Sequence, residues 1–126
     1  MGDVMVTNKL LLSRKEIGTF LEIIEDSILN HEIVKYYLDI DKEDLKKYRL
    51  FFYKIEDEIE CEKIAIVEVE LSLDINRELK YIMYNYIKRK IDIIDTEEID
   101  KIIGLLESLD SVIETEINNI LTYEIY

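Results

Sequence analysis

The sequence predicts an α+β domain, mostly helical, with a small antiparallel sheet near the middle of the chain. Three observations carry that expectation: a Ser-x-x-Glu capping box followed by apolar residues at helical spacing, a central run of strict two-residue alternation, and helical-period segments behind it. The expected order is two N-terminal helices, a β-hairpin or small antiparallel sheet, and three C-terminal helices. An all-α arrangement is the alternative, because residues 42–62 fit a helix as well as a strand. Proline is absent, glycine occurs only at Gly2, Gly18 and Gly104, and no Pro-, Gly- or Ser-rich linker divides the chain. A single compact domain over residues 1–126 is therefore expected.

Residues Val4 to Leu12 are partly apolar and suit a short strand or an extended arm. Ser13-Arg14-Lys15-Glu16 then has the form in which a hydroxyl and a carboxylate each satisfy a free backbone N–H at a helix start. Behind it Ile17, Phe20, Leu21, Ile24 and Ile28 recur at helical spacing, which predicts a helix from about Arg14 to Leu29. Ile33, Val34, Tyr37 and Leu38 predict a second, shorter helix after Asn30-His31.

The middle admits two readings. Leu45, Tyr48, Phe52, Ile55 and Ile59 repeat at three and four residues, a heptad-like stripe that argues for a helix entered at the Asp41 cap. Tyr48 to Ile55 is also dense in aromatics that suit a strand. Downstream, Ala65, Val67, Val69, Leu71, Leu73 and Ile75 alternate with polar residues, which predicts a half-buried strand. Such a strand needs a backbone partner. The preferred expectation pairs it with Tyr48–Ile55 and makes Glu56–Glu62 the exposed turn of a hairpin.

After Asn76, a candidate N-cap, Leu79, Ile82, Met83, Tyr86 and Ile87 predict a helix to about Lys90, whose Lys88-Arg89-Lys90 end complements the negative pole of its dipole. Thr96 is expected to cap a helix carrying Ile99, Ile102, Ile103 and Leu106. A last helix is expected after Asp110, with Ile113, Ile117, Ile120 and Leu121.

Charge is the strongest functional pointer. Twenty-nine acids against sixteen bases give a formal charge of −13. Ten of those acids lie beyond Ile91 with one base, Lys101, a local charge of −9, and Glu56, Asp57, Glu58, Glu60 and Glu62 put five carboxylates in seven residues. Such a field repels nucleic-acid backbones and anionic membranes and attracts basic protein surfaces. Apolar runs such as Leu10-Leu11-Leu12 and Ile64-Ala65-Ile66-Val67 are too short for a signal core or a membrane span. One cysteine, Cys61, allows no disulfide within the chain and fits a reducing cytoplasm.

Motifs for chemistry fail one by one. His31-Glu32-Ile33-Val34-Lys35 begins like the helical zinc motif, but Lys35 stands where the second histidine is required. Asp39-Ile40-Asp41-Lys42-Glu43 offers calcium-loop oxygens, yet Asp44 replaces the turn glycine and Leu50 the bidentate glutamate. Glu60 and Glu62 make the Cys61 thiol between them a poor nucleophile. Neither a phosphate-binding glycine loop nor a Gly-x-Ser-x-Gly elbow is present. No metal or cofactor is expected, and the sequence points away from an enzyme.

The helix around residues 77–90 has a second face. At 100° per residue, Arg77, Tyr81, Tyr84 and Lys88 lie opposite its apolar side, and tyrosine and arginine concentrate binding energy at interfaces. The sequence therefore predicts a non-catalytic acidic protein that binds and blocks a basic protein surface, as inhibitors of immunity and phage anti-defence type do by the same physics. The candidate contact residues are Glu56, Asp57, Glu58, Glu60, Glu62, Tyr81, Tyr84, Asp92, Asp95, Glu97, Glu98, Asp100, Glu107, Asp110 and Glu114. A homodimer through Tyr81 and Tyr84 fits equally. Two alternatives stand beside it. One is a small-ligand binder or enzyme with a carboxylate or tyrosine site, which requires an apolar pocket with converging carboxylates. The other is a winged-helix-like regulatory or oligomerising protein, whose basic recognition helix would be the one carrying Lys46, Lys47 and Arg49.

Overall fold

The computed structural model describes residues 9–125, with side chains through residue 115 and at residue 117. The elements follow the order β1 (Lys9–Ser13), α1 (Arg14–Leu29), α2 (His31–Tyr37), α3 (Lys42–Glu62), β2 (Ile66–Glu70), α4 (Leu73–Lys90) and α5 (Thr96–Ile125). The fold is α+β and mostly helical, with a two-stranded antiparallel sheet.

Ser13 ends β1 and starts α1 with the capping box legible in the sequence: its N–H donates to Glu16 Oε1 at 2.9 Å, and the Glu16 N–H returns to Ser13 Oγ at 3.4 Å. Beyond the expected stripe, Ile23 and Ser27 are buried as well, so α1 is covered on more than one side. It packs against β1 and all four other helices and forms the axis of the core.

The structure takes the helical alternative for the middle. Tyr48–Ile55 is not a strand but the centre of α3, and Glu56–Glu62 is that helix's last two turns, not a hairpin turn. The heptad-like spacing explains why: it holds Leu45, Phe52, Ile55 and Ile59 on one face along a helix running antiparallel to α1, whereas a strand would have turned alternate aromatics outward. Phe52 stacks on Phe20 of α1 with centroids 4.9 Å apart. Near the ends of the pair Arg14 meets Glu60, while the Tyr53 hydroxyl donates to Glu25 at 2.9 Å.

The strand partner is β1. Leu10 lies opposite Val69 and Leu12 opposite Val67 on the inner face, with Lys9 opposite Glu70 and Leu11 opposite Glu68 outside. Residues 4–8 of the expected N-terminal strand lie outside the described residues. The central strand is also shorter than expected: Ser72 Oγ accepts the Ile75 N–H at 3.3 Å and turns the chain into α4. Asn76, read as a cap, is instead buried inside α4, where its amide donates to the Leu71 carbonyl at 3.2 Å.

Two C-terminal helices take the place of three. Asp95, rather than Thr96, caps α5 by accepting the Glu98 N–H at 2.8 Å, and the helix passes through Asp110 without a break. Neither proline nor a second glycine interrupts it. Ile102, Leu105, Leu106, Leu109, Val112 and Ile113 hold a continuous buried stripe against α4, α1 and β1.

Candidate functional site

The candidate contact residues fall into three places. Glu56, Asp57, Glu58, Glu60 and Glu62 surround the C-terminal end of α3, all exposed except the half-buried Glu56. Only Glu60 has a salt-bridge partner among the described residues, Arg14. The last turn of α3 carries no base, so these carboxylates add to the negative pole of the helix dipole. The helix stops at Lys63, a non-glycine residue held in the left-handed region at φ 55°.

The second group follows α5. Asp92 and Asp95 lie in the α4–α5 connection, and Asp95 is occupied as a cap. Glu98 is half-buried near Glu22 of α1, whose carboxyl is held above its usual range by partial burial first and by the Glu98 charge next. Glu97, Asp100, Glu107 and Glu114 are exposed. At 100° per residue, Asp100, Glu107 and Glu114 form one stripe directly opposite the buried stripe of α5. Asp110 turns towards α4 and takes the Lys80 ammonium, which raises the Lys80 pKa through that hydrogen bond.

The two acidic groups do not merge. They stand on opposite flanks of the first turn of α1, with Glu60 reached by Arg14 on one side and Asp100 facing Ser13 and Lys15 across a groove on the other.

Tyr81 and Tyr84 are 54% and 47% exposed on the outer face of α4, in line with Arg77 and Lys88. Lys80 stands 5.8 Å from the Tyr84 ring centroid, and Lys88 5.9 Å from that of Tyr37 on α2.

Sequence reasoning missed a fourth surface. Ile33 and Tyr37, expected to help bury α2, are exposed, and with Leu29 and Tyr36 they form an uncovered apolar stripe; only Val34 of α2 is buried. The available sign was an excess: apolar residues at both i, i+4 and i, i+3 positions give this short helix more apolar surface than one contact face can cover.

The alternatives find less support. The groove between α1 and α5, about 730 Å³, is lined by Lys15, Glu16, Glu22, Asp100 and Lys101 as well as Gly18 and Gly104. Charged side chains rim it, but its exposed lining, with Leu105 and the two glycines, is more apolar than polar, and Glu22 lies in it with a raised pKa. The basic trio on α3 is neutralised within the chain: Lys46 by Glu43 at 3.5 Å, Lys47 by Asp44 at 3.9 Å and Arg49 by Glu25 at 3.8 Å. The expected hairpin wing is absent among the described residues. His31 donates to the Ile40 carbonyl at 2.9 Å and pins the α2–α3 connection. Among the described residues no helix is long and apolar enough to cross a membrane, and no cluster of three His, Cys, Asp or Glu side chains is arranged to hold a metal.

No family model matches the chain, and neither a curated protein nor a solved structure is significantly similar to it. The functional reading rests on the geometry.

Proposed function

We propose that this chain is a non-catalytic binding protein whose acidic α3 end docks on a basic surface of a partner protein and blocks it. The observation behind this reading is energetic. Glu56, Asp57, Glu58 and Glu62 have no salt-bridge partner among the described residues and crowd like charges into the last two turns of α3. Glu62 lies in the last turn, where the backbone dipole opposes negative charge. A carboxylate in the last turn costs about 0.3–1 kcal/mol at low ionic strength and a like-charge pair such as Glu58 and Glu62 about 0.2–0.5 kcal/mol, and a cationic partner offsets both. Departures from local design rules that lack a compensating contact inside the fold are expected at functional surfaces.

The test is affinity capture from the native host with the wild-type chain and with a Glu56→Gln, Asp57→Asn, Glu58→Gln, Glu62→Gln variant. A basic protein held by the wild type at about 50 mM salt, released at about 500 mM and not held by the variant is the expected result. A partner retained equally by the variant rejects the reading.

A further inference from the structure

The outer face of the α4–α5 pair is divided lengthwise by charge. Its α4 half carries Arg77 and Lys88 with Tyr81 and Tyr84 between them, all exposed, and neither base has a salt-bridge partner among the described residues. Its α5 half carries Glu107 and Glu114, exposed and likewise unpaired among the described residues. The Lys80–Asp110 ion pair joins the halves and brings residues 80 and 110 of the two packed helices to similar heights. Arg77 therefore stands within about one turn of the height of Glu114, and Tyr84 within about one turn of that of Glu107.

A surface with one cationic and one anionic half is complementary to a copy of itself turned about a two-fold axis parallel to the helices. That rotation keeps helix directions and heights unchanged and exchanges left for right, so α4 of the second copy lies over α5 of the first in the register already present within one chain. Arg77 of each copy then meets Glu114 of the other, and Tyr84 meets Glu107, a phenol against a carboxylate. The two contacts occur twice because the interface is isologous. From this we infer that the occupant of the face is a second copy of the chain, and that the protein forms a two-fold dimer through α4 and α5.

The size of the face sets the strength. Eighteen residues of α4 span about 27 Å at 1.5 Å per residue, and two helices side by side about 20 Å, a projected area of roughly 500 Å². This falls below the roughly 800 Å² per partner of a standard stable interface, which places the dimer among weak, concentration-dependent associations. The inference goes beyond the docking reading above and stands apart from it, since it uses neither α3 nor its carboxylates.

Sedimentation equilibrium of the full chain from about 1 to 300 μM tests it. The wild type is expected to pass from monomer to dimer across this range. Arg77→Glu alone and Glu114→Lys alone each place two like-charge contacts in the dimer and lower its association constant at least tenfold. An equimolar mixture of the two variants restores it, because both contacts of the mixed dimer are then attractive. Restoration in the mixture cannot arise from repair within one chain, and far-UV circular dichroism of each variant verifies that both remain helical. A wild type that stays monomeric throughout the range, or variants that associate no better mixed than apart, overturns the inference; replacing α3 carboxylates leaves the dimer intact.

Discussion

Arg89, near the end of α4, donates to Asp26 Oδ1 at 2.8 Å, and both side chains are largely withdrawn from water, 13% and 16% exposed. Asp26 thereby joins α1 to α4, and its other oxygen takes Lys90 at 2.9 Å. Arg89 also donates to Asn85 Oδ1 at 2.8 Å. The Lys88-Arg89-Lys90 run does face the negative end of its helix, but two of its three cations are committed to another helix. Asp26→Ala leaves both cations partly buried without their anion. The expected loss is about 2–3 kcal/mol, less than the 3–5 kcal/mol of a fully buried pair. Urea unfolding of the variant checks it, and a change below about 0.5 kcal/mol, the scale of an ordinary surface substitution, contradicts the assignment.

The Tyr48 hydroxyl donates to Glu78 Oε2 at 2.7 Å, and burial followed by that bond pushes its pKa well above the usual 10. Tyr53 and Tyr86 are shifted the same way, the first by its bond to Glu25 and the second by burial. A phenol held protonated in the fold but free to ionise when unfolded contributes stability that is complete below pH 10. That contribution declines as the pH rises past 10, since the unfolded chain then binds fewer protons than the native one. Thermal midpoints measured from pH 7 to 11.5 are expected to fall above pH 10, and Tyr48→Phe to flatten the decline. An unchanged alkaline slope in the variant removes Tyr48 as its cause.

Neutralising the α3 carboxylates has the opposite sign on stability from its effect on binding. The variant with Glu56, Asp57, Glu58 and Glu62 replaced by their amides relieves like-charge repulsion and the opposed helix pole. It is expected to be more stable than the wild type by about 1–2 kcal/mol. A matching rise in thermal midpoint, on the order of 4–10 °C for a domain near this size, is readable by circular dichroism. A variant less stable than the wild type would show that these side chains hold the helix rather than burden it.

Gly18 on α1 and Gly104 on α5 line the same groove, and a methyl group added at either meets nothing within 4 Å. Both adopt ordinary helical backbone, so alanine fits and removes the entropy that glycine loses on folding. Gly18→Ala and Gly104→Ala are each expected to stabilise by about 0.5–1 kcal/mol and to add nearly independently. Destabilisation by either one in urea unfolding contradicts the open space beside them.

Legibility in the sequence followed the range of the interactions. The Ser13–Glu16 box was readable because its determinants lie within four residues; α3 does start after Asp41, but the Asp41 side chain makes none of the capping hydrogen bond its type suggested. The Val67 and Val69 alternation marked β2 correctly, but its partner was not readable: Leu10 and Leu12 offer the same two-residue pattern as the aromatic stretch from Tyr48, and choosing between them depends on how α1 and α3 pack. The acids were legible as charge, while the commitments of Glu60 to Arg14 and Asp110 to Lys80 depend on helix crossings that no local pattern encodes. The exposed Leu29, Ile33, Tyr36 and Tyr37 stripe escaped notice because apolar spacing on a helix is ordinarily a sign of burial.

The pairing of β1 with β2 has a consequence for synthesis on the ribosome. Leu12 finds Val67 only after 55 further positions of chain have been made. At 5–20 residues per second that wait lasts roughly 3–11 s. For most of it the Lys9–Ser13 segment has its first helix but not its strand partner, and Leu10 and Leu12 lack the neighbours that will cover them. The nascent chain is therefore open to association with other chains until β2 has paired and α5, which also packs on β1, has been made.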